Sequence, residues 1–175
     1  MSRPVAIDIW ISKPAKEQLE KMLKPNMEGL EFGSGCSTIW LARRVKSLVS
    51  VEHDKEWYNR VTKLIEQNNI KNVKLIYAES KDYLKVLQRH PNGTLDFVFS
   101  DGLKQFRSKC ITASWPKLKK GGIMIIDNSE TTHPKKGILF IRRQGAKGNR
   151  YRGPVRNPWT GRRNEKGVET SIWTK

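Results

Sequence analysis

The segment Glu31-Phe-Gly-Ser-Gly-Cys-Ser-Thr38 decides the fold assignment, because it places two glycines between an apolar run and a helical pattern. Met27–Phe32 reads as a strand, and Ser37–Val45 has the spacing of a helix. Glycines one residue apart permit a tight turn and let a ligand approach the backbone closely. The segment lacks the third glycine of the dinucleotide fingerprint, since Thr38 stands there, and no Gly-Lys-Ser/Thr follows as in a phosphate loop. It is therefore predicted to be a ligand-binding turn of another kind, between a strand and a helix.

The rest of the chain repeats the order of strand and helix. Further apolar runs, each typical of a buried strand, lie at Ser47–Glu52, Val73–Tyr77, Leu95–Ser100 and Ile123–Asp127. Helical patterns lie at Lys13–Lys24, Lys55–Gln67, Asp82–Arg89 and Phe106–Lys119. This alternation predicts an α/β fold: a Rossmann-like, doubly wound, mainly parallel sheet with helices on both faces, in three αβα layers.

The pattern loosens after Asn128. A helix is predicted over Lys136–Arg143, with strands over Asn149–Val155 and Glu169–Trp173. No repeat or linker divides the chain, so residues 1–175 are expected to form a single domain with a basic, Gly/Pro-rich segment at about 135–166.

The composition is that of a soluble globular protein, with 37% hydrophobic and 29% charged residues. No apolar run reaches the roughly 20 residues that span a bilayer, so no membrane partner is expected. Asp8 interrupts the apolar N-terminus, and the only two cysteines, Cys36 and Cys110, have no metal-ligand spacing. These features favour a reduced, cytoplasmic protein.

The net charge of +17 is concentrated in one segment. Eleven lysines and arginines lie between Lys135 and Lys166, opposed only by Glu165, so this segment carries +10 of the total. Tyr151 and Trp159 interleave with its arginines, and such a mixture binds nucleic acid or nucleotides through stacking and phosphate contacts. A substrate lid and a solvated loop remain equal alternatives.

Distinctive polar residues follow the predicted strands. Glu52 ends the second strand, and an acid at that position accepts hydrogen bonds from a ribose diol. Asp54 is predicted to be the N-cap of the next helix. Because ligands of open parallel sheets bind at the carboxyl ends of the strands, these residues predict a binding site at that edge.

Four segments together resemble the class I S-adenosylmethionine-dependent methyltransferases. They are Leu30–Thr38, Val51–Asp54, Leu95–Gly102 and Leu118–Asn128. The resemblance implies a seven-stranded sheet with an antiparallel last strand, and S-adenosylmethionine as cofactor. It also implies a set of cofactor-binding residues: Glu31, Gly33, Ser34, Gly35, Ser37, Thr38, Glu52, His53, Glu79, Ser80 and Asp101.

A narrower resemblance is to the metal-dependent O-methyltransferases of the catechol and caffeoyl-coenzyme A type. It implies a metal site at Asp101, Asp127 and Asn128, whose oxygen donors suit Mg²⁺. It also implies catalytic roles for Asp101 and for Lys104, the latter as a base. The chain departs from those enzymes after Asn128, where their aromatic-diol pocket is completed.

The favoured hypothesis is a methyltransferase that O-methylates a small hydroxylated acceptor, with metal assistance left open. A nucleic-acid (RNA) methyltransferase that uses segment 135–166 is the first alternative. A non-catalytic module that binds RNA or cofactor is the second.

Overall fold

All strands in the computed structural model, which describes residues 7–175, belong to one seven-stranded sheet of order β3-β2-β1-β4-β5-β7-β6. The strands are β1 (Glu28–Phe32), β2 (Ser47–Glu52), β3 (Val73–Tyr77), β4 (Leu95–Ser100), β5 (Leu118–Ile126), β6 (Lys147–Arg156) and β7 (Arg163–Thr174). The first five run parallel, and β7 is antiparallel to both of its neighbours. The predicted doubly wound α/β fold with an antiparallel last strand is confirmed.

Five α-helices within residues 7–175 connect or flank these strands: α1 (Lys13–Met22), α2 (Cys36–Ala42), α3 (Lys55–Gln67), α4 (Arg107–Ser114) and α5 (Lys135–Arg143). The helix predicted over Asp82–Arg89 is a 3-10 helix over Tyr83–Arg89. The helix predicted over Phe106–Lys119 ends early, because Pro116 has no N–H and Leu118 already pairs with Leu95 of β4. No helix within residues 7–175 is long and apolar enough to cross a membrane.

The alternation of side chains along the strands divides the core into two layers. Phe97 and Phe99 of β4 pack with residues of α1 and α2, including Leu19 and Trp40. Val98, between them, faces the opposite layer with the Tyr83–Arg89 helix, α4 and α5. Both faces of the sheet are therefore covered, and its polar ends remain as the place for a site.

The last two strands form a hairpin much longer than the sequence predicts. Its strands pair from Lys147 and Thr174 out to Arg156 and Arg163, with a register shift between Gly153 and Val155. Helix α1 supports it, since the Ser12 Oγ donates to the Tyr151 carbonyl at 2.7 Å. The hairpin tip, residues 157–162, reaches the candidate site.

Candidate active site

A cavity of about 840 Å³ opens where β1, β2 and β4 end. The loops that line it are Gly33–Ser37 after β1, Glu52–Asp54 after β2 and Asp101–Gln105 after β4. This volume falls within the roughly 300–1,000 Å³ of small-molecule sites. The cavity therefore lies at the predicted edge of the sheet and is built from the predicted loops.

Glu52 joins two of these loops. Its side chain is almost completely buried, yet the residue lines the cavity. One carboxylate oxygen accepts the Ser34 N–H at 3.0 Å, and the other accepts the N–H groups of His53 and Asp54 at 2.8 and 2.9 Å. The His53 Nδ1 lies 2.9 Å from the same oxygen. Glu52 thus holds its carboxyl group in a fixed orientation at the position expected for a ribose-binding acid.

The N-cap predicted for α3 is present. The Asp54 Oδ1 accepts the Trp57 N–H at 2.8 Å. This hydrogen bond fixes the start of α3 beside the cavity and holds Trp57 in the cavity wall.

Glu31 does not face the cavity, in contrast to its predicted role as a cofactor-binding residue. Its buried carboxylate accepts hydroxyl hydrogen bonds from Ser37 at 2.5 Å, Thr38 at 2.6 Å and Ser50 at 2.5 Å. Thr38 is equally buried and also accepts the Gly35 N–H at 2.9 Å. Burial raises the pKa of the Glu31 carboxyl to about 7, against the lowering effect of the hydroxyl donors. Glu31 and Thr38 therefore shape the loop from behind.

The two glycines of the loop have different surroundings. Gly33 has a φ of +88°, and a Cβ there would lie 2.7 Å from the backbone of Gly102 in the loop after β4. A Cβ on Gly35 would meet only the Trp57 Nε1, at 4.0 Å. Gly33 thus lets two loops pack together, whereas Gly35 leaves open space at the cavity floor, which is the cradle that a cofactor needs.

Glu79 and Ser80, predicted to bind the cofactor, are not brought to this cavity. Glu79 lines a separate cavity of about 480 Å³ with Tyr77 and Asp82, and forms an exposed ion pair with Lys81 at 3.1 Å. Ser80 is exposed and lines neither cavity.

The three residues predicted as metal ligands converge on an arginine. The guanidinium of Arg107, a residue only 5% exposed, donates to the Asp101 Oδ1 at 2.7 Å and to the Asn128 Oδ1 at 3.2 Å. It also donates to the carbonyl oxygens of Asp101 and Asp127 at 2.9 and 2.8 Å. A fixed cation thus already takes these oxygens, so the donor set does not fit a divalent metal, and no metal-binding group of His, Cys, Asp and Glu occurs within residues 7–175.

Asp127 turns away from the cavity. Its Oδ1 accepts the Thr170 hydroxyl at 2.7 Å, and the residue is buried. Burial, and then the charge of Asp101, raise the pKa of the Asp127 carboxyl above its ordinary range. Asp127 is therefore part of the support between β5 and β7.

Asp101 and Lys104 both line the cavity, as predicted for residues facing an acceptor. The Asp101 side chain is 36% exposed, and only its Oδ1 has a partner among the described side chains. Desolvation by the surrounding residues raises the pKa of this carboxyl, and the charge of Arg107 opposes that effect. Lys104 is exposed and forms no ion pair within residues 7–175.

An aromatic wall is the part of the site that sequence reasoning missed. The Trp57 Nε1 donates to the Ser34 carbonyl at 2.7 Å, and its ring lies 5.0 Å from that of Trp159 at the hairpin tip. The Arg60 guanidinium lies 4.6 Å from the Trp159 ring. Trp10, which is 47% exposed, and Pro158 line the same cavity. Nothing local in the sequence connects Trp159 to the loop of Gly33.

The comparisons with known proteins agree with this arrangement. The model of a methyltransferase domain family matches residues 30–129, more than half of the chain. No curated protein matches the chain in sequence.

Solved structures share the fold at low sequence identity. An O-methyltransferase from Bacillus cereus in complex with SAH is 19% identical, with 97% of this chain and 83% of that chain covered and a TM-score of 0.70. A precorrin-6y C5,15-methyltransferase from Geobacter metallireducens is 17% identical, with 91% and 86% covered and a TM-score of 0.75. An O-methyltransferase of tomaymycin synthesis from Streptomyces achromogenes, in complex with SAM, is 20% identical, with 95% and 82% covered and a TM-score of 0.67.

The family match over residues 30–129 leads to one conclusion, with which the glycine loop after β1 and the acid at the end of β2 are consistent. The chain belongs to the methyltransferase domain family and is a class I S-adenosylmethionine-dependent methyltransferase.

Proposed function

We propose that this enzyme methylates the oxygen of a hydroxylated acceptor, without a metal ion at Asp101, Asp127 and Asn128. The observation that carries the proposal is the placement of Asp101 and Lys104 in the same cavity as the cofactor loop Gly33–Ser37. O-Methyltransferases among the proteins of similar fold also support an oxygen acceptor.

S-Adenosylmethionine, when bound, supplies the electrophilic methyl group. The chain must then hold the acceptor oxygen in line with that group and take up the hydroxyl proton. The Asp101 Oδ2 is the proposed proton acceptor, because it lies in the cavity wall and has no partner among the described residues. Arg107 fixes the carboxylate by holding its other oxygen, and is thus a positioning residue.

Lys104 is proposed to contact the acceptor. Its exposed ammonium lies on the short 3-10 helix Lys104–Phe106, which follows the Asp101 loop. A cation there attracts an acidic hydroxyl or another anionic group of the acceptor.

Mass spectrometry of reactions with S-adenosylmethionine and a panel of hydroxylated acceptors tests the proposal. Asp101→Asn is expected to lower kcat at least tenfold while S-adenosylhomocysteine binding changes little, because a base acts in the chemical step. Asp127→Asn is the matched control, since its carboxyl faces Thr170 and not the cavity. Equal losses of kcat in the two variants, or methylation at nitrogen or carbon only, would contradict the proposal.

A further inference from the structure

The β6–β7 hairpin carries a row of exposed cations. Seven basic residues on it are exposed: Lys147, Arg150, Arg152, Arg156, Arg162, Arg163 and Lys166. Within residues 7–175, ion pairs engage only Arg150, with Glu169 at 3.7 Å, and Arg163, with Glu165 at 3.9 Å. The Arg163–Glu165 pair is exposed on both sides and contributes little, whereas Arg150 contacts a Glu169 side chain that is 12% exposed. Most of the hairpin's positive charge is therefore available to a partner.

Two of these arginines oppose each other near the tip. Arg156 and Arg163 are direct partners in the antiparallel register of β6 and β7. Like charges directly opposite on neighbouring strands destabilise a sheet. An anion placed between the two guanidinium groups would remove that repulsion, so this position favours an anionic ligand.

The pair lies in a groove between the hairpin and the start of α1. This basic groove, of about 390 Å³, is lined by the cations Lys13, Lys16, Arg156 and Arg163 and by the acids Asp8 and Glu165. Lys16 is paired with Asp8 at 2.8 Å. The four cations exceed the two acids, so the groove has a net charge of +2, which is opposite in sign to that of phosphate groups.

The basic groove borders the active-site cavity. Ile9 and Ile11 line the groove, while Trp10 between them lines the cavity. On the hairpin, Arg156 lines the groove, while Pro158 and Trp159 line the cavity. The groove and the cavity therefore share two stretches of chain, residues 8–11 and 154–159, and the exposed ring of Trp10 lies on the cavity side.

We infer that the acceptor is single-stranded RNA, held by its phosphates in the basic groove and along the hairpin. Strand β6 spans roughly 33 Å at about 3.3 Å per residue, which suits several phosphates and not one. An exposed tryptophan beside a cationic path is the arrangement that binds unpaired bases. The inference rests on the proposed oxygen acceptor, because the ribose hydroxyl is what single-stranded RNA offers and DNA lacks.

Fluorescence anisotropy with a labelled 12-nucleotide single-stranded RNA of mixed sequence tests the inference, in the presence of S-adenosylhomocysteine. The double variant Arg156→Ala/Arg163→Ala is expected to bind at least tenfold more weakly than the wild type. Its slope of log affinity against log salt is expected to be shallower by about 1.4, at roughly 0.7 per lost phosphate contact. Trp10→Ala is expected to weaken RNA binding without changing that slope.

Lys71→Ala/Lys74→Ala is the matched control. It removes the same charge at the opposite edge of the sheet, just before β3 and on it, and both lysines are exposed. If the control weakens binding as much as the arginine pair, or if duplex RNA binds as tightly as the single strand, the inference is overturned. Calorimetry with S-adenosylhomocysteine on the same proteins separates the two claims. If the wild type binds S-adenosylhomocysteine but not RNA, only the inference is overturned. If the wild type binds neither, the proposed function is overturned as well.

Discussion

The Arg107 Nη2 lies 2.7 Å from the Asp101 Oδ1, at the point where related metal-dependent enzymes would hold an ion. The same guanidinium reaches the Asn128 Oδ1 and two backbone carbonyls. A planar group with five donors fits several oxygens at once, which a lysine cannot do. We conclude that the guanidinium of Arg107, a cation that belongs to the protein itself, balances the negative charge at Asp101.

Arg107→Ala removes this cation, and the stability of the variant is expected to depend on magnesium instead. The variant should lose about 1–3 kcal/mol of stability, because it leaves the carbonyl oxygens of Asp101 and Asp127 and the amide oxygen of Asn128 without their donor. Magnesium chloride should then raise its melting temperature, since the oxygens of Asp101 and Asn128 become free. The wild type and the exposed-residue control Lys109→Ala should not respond to magnesium, compared with sodium chloride of equal ionic strength. A wild type stabilised by magnesium and destabilised by chelation would show that Arg107 does not replace the ion.

The two loop glycines are expected to respond oppositely to substitution. Gly33→Ala should destabilise the fold, because its φ of +88° is left-handed and its Cβ would meet the Gly102 backbone at 2.7 Å. Gly35→Ser should change stability by about 1 kcal/mol or less, because serine is a favourable N-cap residue. It should nevertheless weaken S-adenosylhomocysteine binding at least tenfold, because the added side chain occupies the cavity floor. Thermal unfolding and calorimetry measure the two effects, and unchanged cofactor affinity in Gly35→Ser would remove the loop from the binding site.

Glu31 is expected to make stability depend on pH. Since its pKa is raised to about 7 in the fold, the protonated form is favoured there. Its contribution is complete below the ordinary pKa of 4.5 and is lost as the pH rises to about 7. The wild type should therefore lose about 2–3 kcal/mol more than Glu31→Gln between pH 5 and pH 8. Denaturant unfolding at several pH values checks this, and parallel curves for the two proteins would show that Glu31 is ionised throughout.

Trp159 is expected to anchor the hairpin tip. Its ring contacts Trp57 and Arg60, and it packs with the cluster of Ile39 and Leu64. In Trp159→Ala, trypsin should cleave after Arg156 and Arg162, at the two ends of the tip, several times faster than in the wild type. Thr160→Ser, which keeps the hydroxyl that accepts the Arg162 N–H, should leave the rate unchanged. Equal cleavage of all three proteins would mean that the tip is open whether or not Trp159 is present.

The sequence predicts the sheet well because its strands are short and apolar and are separated by clear turns. β2, β3, β4 and α3 have the predicted bounds. β5 begins earlier than predicted, at Leu118, because a single buried leucine pairs with Leu95 ahead of the exposed stretch Lys119–Gly121. A pattern of hydrophobic residues cannot show such a pairing.

The site is predicted only where chemistry and position in the chain coincide. Glu52 ends a strand and Gly35 follows one, and the structure places both in the cavity. Glu31 is also a glutamate near the end of a strand, but its side chain points into the core. Successive residues of a strand face opposite sides of the sheet, so a shift of one residue along β1 decides which side a side chain faces. Arg107 is one of 34 basic residues, and only the fold shows that it is buried. The approach of Trp159 to Trp57 is likewise a tertiary contact.

Titration calorimetry with S-adenosylhomocysteine tests the central claim most directly. The wild type is expected to bind one equivalent with micromolar affinity. Glu52→Gln is expected to weaken binding by about 1–3 kcal/mol, because a carboxylate that accepts ribose hydroxyls is replaced by an amide. Glu56→Gln is the matched control. It neutralises another acid that lines the cavity, in the first turn of α3, and should bind as the wild type does. Absence of binding to the wild type, or equal affinities for all three proteins, would contradict the assignment of this cavity as the cofactor site.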